Sequence, residues 1–206
     1  MSTFRVIGRC IAAPPPADWR EQLTARLKVK PRRIGTWAEL GLYGALECLA
    51  DAGETRLPVQ AGLMLSSRHG PVTPLRQAFE QAQEDLPMPM TFLQTQPSQL
   101  LATLAARLSW RGDARFVTHA DPRALLQLAA AQNHPHGMLV GWVEESGAGH
   151  SLWLRLLPCM APTGSFQAVD PLEEQLAHAR YLRITPAGIG VCLTERVWPD
   201  QPEVAA

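Results

Sequence analysis

Short apolar runs alternate with helical patterns along most of this chain, and that alternation restricts the folds open to it. Five apolar runs predict strands, at residues 4–11, 59–65, 114–118, 138–143 and 151–157. Four helical patterns lie between or before them, at residues 36–52, 72–84, 97–108 and 122–131. Chains with this order of elements form layered α/β folds. We therefore expect an α/β fold with helices layered around a mixed, largely parallel sheet.

Composition excludes several classes of partner. The 206 residues carry 19 basic and 19 acidic side chains, so no global field attracts nucleic acid or anionic lipid. No apolar run approaches the roughly 18 to 20 residues that cross a bilayer. The four cysteines are far apart and lack CxxC spacing, which indicates free thiols and a cytoplasmic protein. We expect neither a nucleic-acid nor a membrane partner.

The helix predicted over 36–52 contains two interior glycines, Gly41 and Gly44. Each costs roughly 1 kcal/mol of helix stability relative to alanine. We expect close packing of this helix against a sheet or another helix to compensate, so the helix should be buried.

The segment at 107–131 joins a short apolar strand directly to a helix. The strand predicted over 114–118 is followed by His119, Ala120 and Asp121. Asp121 and Pro122 are a natural N-cap and first-turn pair for the next helix. In a monomer a short apolar strand at this place would leave an exposed sheet edge, and such edges are usually covered or paired.

Several stretches, taken in order, carry a resemblance: FRVIGRCIAAP, RRIGTWAELGLYGALECLADAG, VQAGLMLSSRHGPV, PMTFLQTQPSQLLATLAARLSWRG and HGMLVGWVEE. Together they resemble the N-terminal half of a β-ketosynthase, and more closely the short ketosynthase-like proteins of type II polyketide clusters, such as those for aryl polyene pigments. The resemblance covers roughly residues 3–157. It implies half of a thiolase-like fold, with a ketosynthase-like domain at 1–157 and an irregular extension of the same domain at 158–206, its tail frayed from Pro199.

The chain departs from the ketosynthase pattern at the nucleophile. By position the reactive cysteine should fall at His119 or Ala120, and neither can form the thioester that condensation requires. Ketosynthases also carry two catalytic histidines in a C-terminal half, in settings that this chain does not contain. The resemblance therefore implies a non-catalytic subunit without a cofactor. A role of His119 in positioning a malonyl group stays open beside a structural one.

The resemblance implies two protein partners. A full-length ketosynthase would form a heterodimer with this chain and supply the catalytic residues, and the chain would act like a chain-length factor. The expected interface residues are Phe92, Arg115, Phe116, Val117, Thr118, Leu125 and Leu128. An acyl carrier protein would bind transiently, with the basic cluster Lys28, Lys30, Arg32 and Arg33 as a weaker candidate contact.

Other interpretations remain. Ser66, Ser67 and His69 could belong to a small thioesterase or hydrolase, although the GxSxG elbow is absent. His134 and His136 flank a proline, and two ligands are too few for a metal site, so no metal is expected. A free-standing homodimeric interaction protein is the third possibility.

Overall fold

One mixed sheet of eight strands forms the centre of the protein. The structure is a computed structural model that describes residues 2–86, 88–132, 134–160, 165–168 and 171–193. Within these ranges the strands are β1 Ser2–Ala12, β2 Gly62–Ser67, β3 Ala114–Thr118, β4 Met138–Glu144, β5 His150–Pro158, β6 Gln167–Ala168, β7 Tyr181–Thr185 and β8 Gly188–Cys192. Their order across the sheet is β3-β2-β4-β5-β1-β7-β8-β6. The five strands predicted from the apolar runs are all present.

Helices cover both faces of this sheet. They are α1 Trp19–Leu27, α2 Thr36–Asp51, α3 Val72–Gln83, α4 Pro89–Gln94, α5 Ser98–Arg107, α6 Pro122–Ala131 and α7 Leu172–His178. The four helices predicted above are confirmed to within a residue or two at each end. The short α4 was not predicted; Pro89 occupies the first turn of this helix, where a missing N–H is tolerated.

The sheet is α/β and mixed as predicted, but it is not largely parallel. Parallel pairing is confined to β2 with β3 and β2 with β4, which helical crossovers connect. The other five pairings are antiparallel. For two of these five pairings the reason is the length of the connection. The turns between β4 and β5 and between β7 and β8 are too short for a crossover, so each of these two pairs forms a hairpin.

The region after 157 is more regular than the sequence indicated. Strand β7 pairs with β1, and β8 and β6 follow, so this region extends the same sheet. Helix α7 also lies here, so the extension that was expected to be irregular contains four regular elements, β6, α7, β7 and β8. Residues 194–206, including the tail predicted to fray, lie outside the described residues.

Side chains of alternating strand residues enter two separate cores. Leu63 and Leu65 point to one face, where they pack with α1, α2 and α5. Met64 points to the other face, which α6 and α7 cover together with apolar residues of β7 and β8. This period of two is the geometry that a buried strand imposes.

Helix α2 lies at close range against its neighbours, as its glycines predicted. A Cβ built on Gly41 would overlap the side chain of Leu100 in α5, and one built on Gly44 would overlap Ser151 and Trp153 of β5. The missing side chains therefore let α2 approach both a helix and the sheet. None of the helices in the described ranges is long and apolar enough to cross a membrane.

Candidate functional site

The junction between β3 and α6 is held by local hydrogen bonds. The His119 amide donates to the Ser67 carbonyl at 3.2 Å, which continues the β2–β3 ladder by one residue. The Asp121 amide donates to His119 Nδ1 at 2.9 Å. The Asp121 carboxylate in turn accepts from the Arg123 amide at 2.8 Å and caps α6, which confirms the predicted N-cap.

His119 Nδ1 also lies 3.1 Å from the Asp121 carbonyl oxygen, so both contacts of this ring nitrogen are to the backbone of Asp121. The ring is exposed, as is Ala120 beside it. Neither side chain is a nucleophile that could carry a stable acyl thioester. The junction that the sequence resemblance matches to a nucleophile position thus carries an exposed imidazole and an exposed methyl group.

The chain's four thiols lie away from this junction: Cys10 in β1, Cys48 in α2, Cys159 after β5 and Cys192 in β8. Burial raises the pKa of Cys10 from its ordinary 9.0 to about 12, with a further contribution from Glu47 and Asp51. Burial also raises the pKa of Cys48, and to a smaller extent that of Cys159. These three thiols remain protonated at neutral pH and are therefore poor nucleophiles.

A buried carboxylate organises the polar turn after β2. Ser67 Oγ donates to Glu144 Oε1 at 3.0 Å and accepts from the Gly70 amide at 2.8 Å. The Arg68 amide also donates to Glu144, and His69 Nδ1 lies 3.5 Å from Glu144 Oε2. The strand predicted at 138–143 stops one residue before Glu144, which is the last residue of β4 and only 4% exposed.

This cluster has the wrong connectivity for a hydrolase. In a catalytic triad the histidine stands between the acid and the nucleophile and accepts the hydroxyl proton. Here the acid stands between Ser67 and His69, so the serine donates to a carboxylate and not to an imidazole. Ser66 is bonded to the Val117 carbonyl at 2.7 Å. The arrangement locks the ends of β2, β3 and β4 together.

Strand β3 is an edge strand with one open side. In a parallel ladder, successive residues direct their N–H and C=O groups to opposite sides. The bond from the Leu63 amide to the Asp113 carbonyl and that from the His119 amide to Ser67 fix which residues face β2. By this alternation Ala114, Phe116 and Thr118 direct their backbone groups outward, and none of the described strands pairs with that side.

The predicted interface residues differ in accessibility. Phe92 and Leu128 are 62% and 42% exposed, whereas Phe116 and Val117 are half-buried. Leu125 is 2% exposed and packs in this chain's own core under α6, so the single chain does not present it at the surface. The sequence pattern did not separate the inward face of α6 from its outward face.

The remaining predicted interface residues lie on β3 itself. Arg115 is exposed and forms an ion pair with Asp113 at 2.8 Å. Thr118 is the exposed last residue of the strand. Positions 115–118 thus lie on the edge strand of the sheet, with Phe116 packed against the core under α2 and α5, and Leu128 lies on α6, which follows the junction.

An apolar groove that the sequence did not predict adjoins this junction. It has a volume of about 690 Å³ and lies between α6 and the β7–β8 turn, with His119 at its rim. Gln127 joins its two walls, since its side-chain amide donates to the Thr185 and Pro186 carbonyls. The turn residues come from the region after 157, whose place beside α6 no local sequence signal gave.

The basic cluster is exposed, and it lies between α1 and α2. Lys28, Lys30, Arg32 and Arg33 are all solvent-accessible. The Gln99 side chain donates to the Arg33 carbonyl at 3.0 Å and so ties this loop to α5.

The histidine pair His134 and His136 precedes β4. His134 Nε2 lies 3.7 Å from an Asp113 carboxylate oxygen. The described residues contain no group of three side chains able to hold a metal ion.

Comparison with known proteins gives the fold. No protein-family model matches the chain, and no curated protein matches it. Among solved structures, a ketosynthase (ApeO) in complex with its chain length factor (ApeC) from Xenorhabdus doucetiae aligns with a TM-score of 0.54 at 15% identity over 82% of this chain and 85% of that one. The near-equal shares mean that the two matched chains are of similar length.

Two further structures agree. The ishigamide ketosynthase/chain length factor has a TM-score of 0.57 at 15% identity over 76% of this chain. The complex AntDE:AntF, a type II PKS acyl-carrier protein with its ketosynthase bound to the hexaketide, has a TM-score of 0.53 at 13% identity over 77% of this chain. This chain spans 62% and 63% of those two chains. The protein therefore has the ketosynthase-like form of the thiolase-like fold, as its sequence predicted.

Proposed function

We propose that this chain is a non-catalytic, chain-length-factor-like subunit that forms a heterodimer with a full-length ketosynthase. The ketosynthase supplies the nucleophilic cysteine and the catalytic histidines. This chain supplies an interface and one wall of the acyl pocket, which sets product length in polyketide or fatty-acid-like biosynthesis of the aryl polyene type. The complex acts in the cytoplasm and receives substrates from an acyl carrier protein.

The observation that carries this proposal is the open edge of β3 beside a junction without a thiol. Three residues of β3 direct N–H and C=O groups away from β2, so a counterpart strand can form about six backbone hydrogen bonds there. Exposed strand edges are normally covered or paired. Phe116 lies at the centre of the strand, which is the position where an antiparallel counterpart would cross.

The chemistry of the junction supports a pseudoenzyme. His119 and Ala120 occupy the place of the nucleophile, and burial holds the pKa values of Cys10 and Cys48 far above neutrality. A hydrolase is the weaker alternative, because Ser67 donates to Glu144 and has no histidine oriented to accept its proton. The partner's chemistry is therefore the natural source of any activity.

Co-expression with the ketosynthase of the same gene cluster tests the proposal. Light scattering of the purified material is expected to give the mass of a one-to-one complex. A monomer that ignores every ketosynthase offered would contradict it. A homodimer that excludes the ketosynthase would also contradict it and would favour an interaction protein that pairs its own β3 edges.

A further inference from the structure

The acidic residues of this chain are distributed unevenly. Residues 22–38 and 86–112 contain no aspartate or glutamate, yet together they carry seven of the 19 basic residues: Arg26, Lys28, Lys30, Arg32, Arg33, Arg107 and Arg111. Because the whole chain is neutral, the rest of it carries a net charge of 12 − 19 = −7. A neutral total thus conceals a strongly basic region.

The fold brings these two segments together. The loop between α1 and α2 packs against α4 and α5, and a groove of about 540 Å³ separates them. Arg32 and Arg33 line one wall, and Arg107 from the last turn of α5 lines the other. The bond from the Gln99 side chain to the Arg33 carbonyl holds the two walls in register.

The cations of this groove lack the partners that their neighbours have. Arg20 pairs with Glu39, and Arg26 pairs with Glu47 in a two-bond contact. By contrast, Arg32, Arg33 and Arg107 make no ion pair with any described residue, and no carboxylate lines the groove. Unpaired, exposed cations around a concave surface attract an anionic partner.

The floor of the groove selects the kind of anion. Between the arginines the groove is lined by the apolar residues Ile34, Met90, Ala102 and Ala106 together with Gln99 and Thr103, and no aromatic side chain lines it. Single-stranded nucleic acid is normally held by cations together with aromatic stacking platforms. A small apolar floor between cations instead suits a protein helix that carries carboxylates on either side of an apolar stripe.

We propose that this groove is a docking surface for the acidic helical face of an acyl carrier protein, bound directly by this chain. The choice of carrier protein as occupant rests on the function proposed above. The exposed Phe92 in α4 belongs to the predicted ketosynthase interface, so a carrier in the groove would lie beside the boundary between the two subunits. Arg107 is a docking residue that the sequence cluster at 28–33 did not include.

Binding of apo and holo carrier protein to the full heterodimer tests this surface. We expect the double variant Arg32→Glu and Arg107→Glu to raise the Kd about tenfold at low salt, because each reversal replaces an attraction by a repulsion. The effect should shrink at 0.5 M salt. Arg33 is left unchanged because its φ of 65° and its carbonyl bond to Gln99 would make substitution a backbone perturbation.

Arg56→Glu is the matched control. Arg56 is exposed and follows the far end of α2, a helix about 24 Å long whose first turn comes directly after the groove loop, so the same change in charge should leave the Kd within about twofold. Equal Kd values for the double variant and the control would overturn the proposal. Binding of the holo form alone would also overturn it, because recognition would then belong to the phosphopantetheine arm and not to helix carboxylates.

Light scattering of the same samples separates this surface from the proposed function. A stable heterodimer whose carrier binding ignores the reversals contradicts the docking surface and leaves the subunit role intact. If no heterodimer forms, the proposed function fails, and the titration is repeated on this chain alone. If the double variant then loses carrier binding while Arg56→Glu keeps it, the result supports the groove as the docking surface. Unchanged binding by the double variant would contradict it.

Discussion

Replacement of Thr118 by proline removes one outward backbone donor from β3 without touching the intrachain ladder. The Thr118 N–H points away from β2, whereas the amides of Val117 and His119 face it. Proline is tolerated on edge strands when the missing N–H faces outward. Thr118 is also exposed, so little packing is lost. The substitution therefore separates pairing with a partner from stability of the fold.

The magnitude follows from one hydrogen bond and the group that it leaves behind. The lost bond is worth about 1 kcal/mol, and an unpaired partner carbonyl in a closed interface adds about 1 to 3 kcal/mol. Association should weaken by about 2 kcal/mol or more, which is about 30-fold in Kd. Fluorescence-detected sedimentation of labelled chain against the ketosynthase measures this, while urea unfolding should change by less than about 1 kcal/mol.

Two controls make the outcome decisive. Thr118→Ala keeps the N–H and should alter the Kd by less than about threefold. Val117→Pro removes a donor that faces β2 and should destabilise the chain itself, by about 3 kcal/mol. If Thr118→Pro folds normally and binds the ketosynthase as tightly as the unchanged chain, the open edge of β3 is not where the subunits pair.

The remaining predictions concern the fold and its thiols. Gly44→Ala should lower the free energy of unfolding by about 2 kcal/mol in urea, whereas Gly188→Ala, which has open space around it, should change it little. Glu54→Gln breaks a 2.7 Å ion pair to Arg155, which is 1% exposed, and should cost about 3 kcal/mol in the same assay. Burial raises the pKa of Cys10 from its ordinary 9.0 to about 12, so the contribution of this thiol to stability should be constant below pH 9 and be lost between pH 9 and 12. Thermal unfolding of the chain and of Cys10→Ala between pH 9 and 12 checks this, and the same pH dependence in both proteins would contradict it.

Local sequence patterns were sufficient to predict the ends of the strand and the helix at the β3–α6 junction. Strand β3 and helix α6 have the predicted ends, because an apolar run, an N-cap aspartate and a first-turn proline mark them without tertiary help. The glycines of α2 likewise indicated close packing before any neighbour was known. These features depend on residues a few positions apart.

Features that depend on distant residues were missed or misassigned. Strand β7 is recognisable mainly by its pairing with β1, some 180 positions earlier in the chain. The predicted strand at 138–143 stops before Glu144 because a carboxylate seldom ends a buried strand, and its burial depends on the Ser67 hydroxyl and the amides of the turn after β2. Leu125 illustrates the same limit, since periodicity marks an apolar face but not what covers it.

A reconstituted condensation assay tests whether this chain completes a ketosynthase. The ketosynthase alone, this chain alone and the purified pair are each given malonyl-loaded carrier protein, and the elongated products are measured by mass spectrometry. We expect products of defined length only when both chains are present, and none when the ketosynthase's nucleophilic cysteine is replaced by alanine. Condensation by this chain alone, or an identical product distribution from the ketosynthase without it, would refute the role of a chain-length-factor-like subunit.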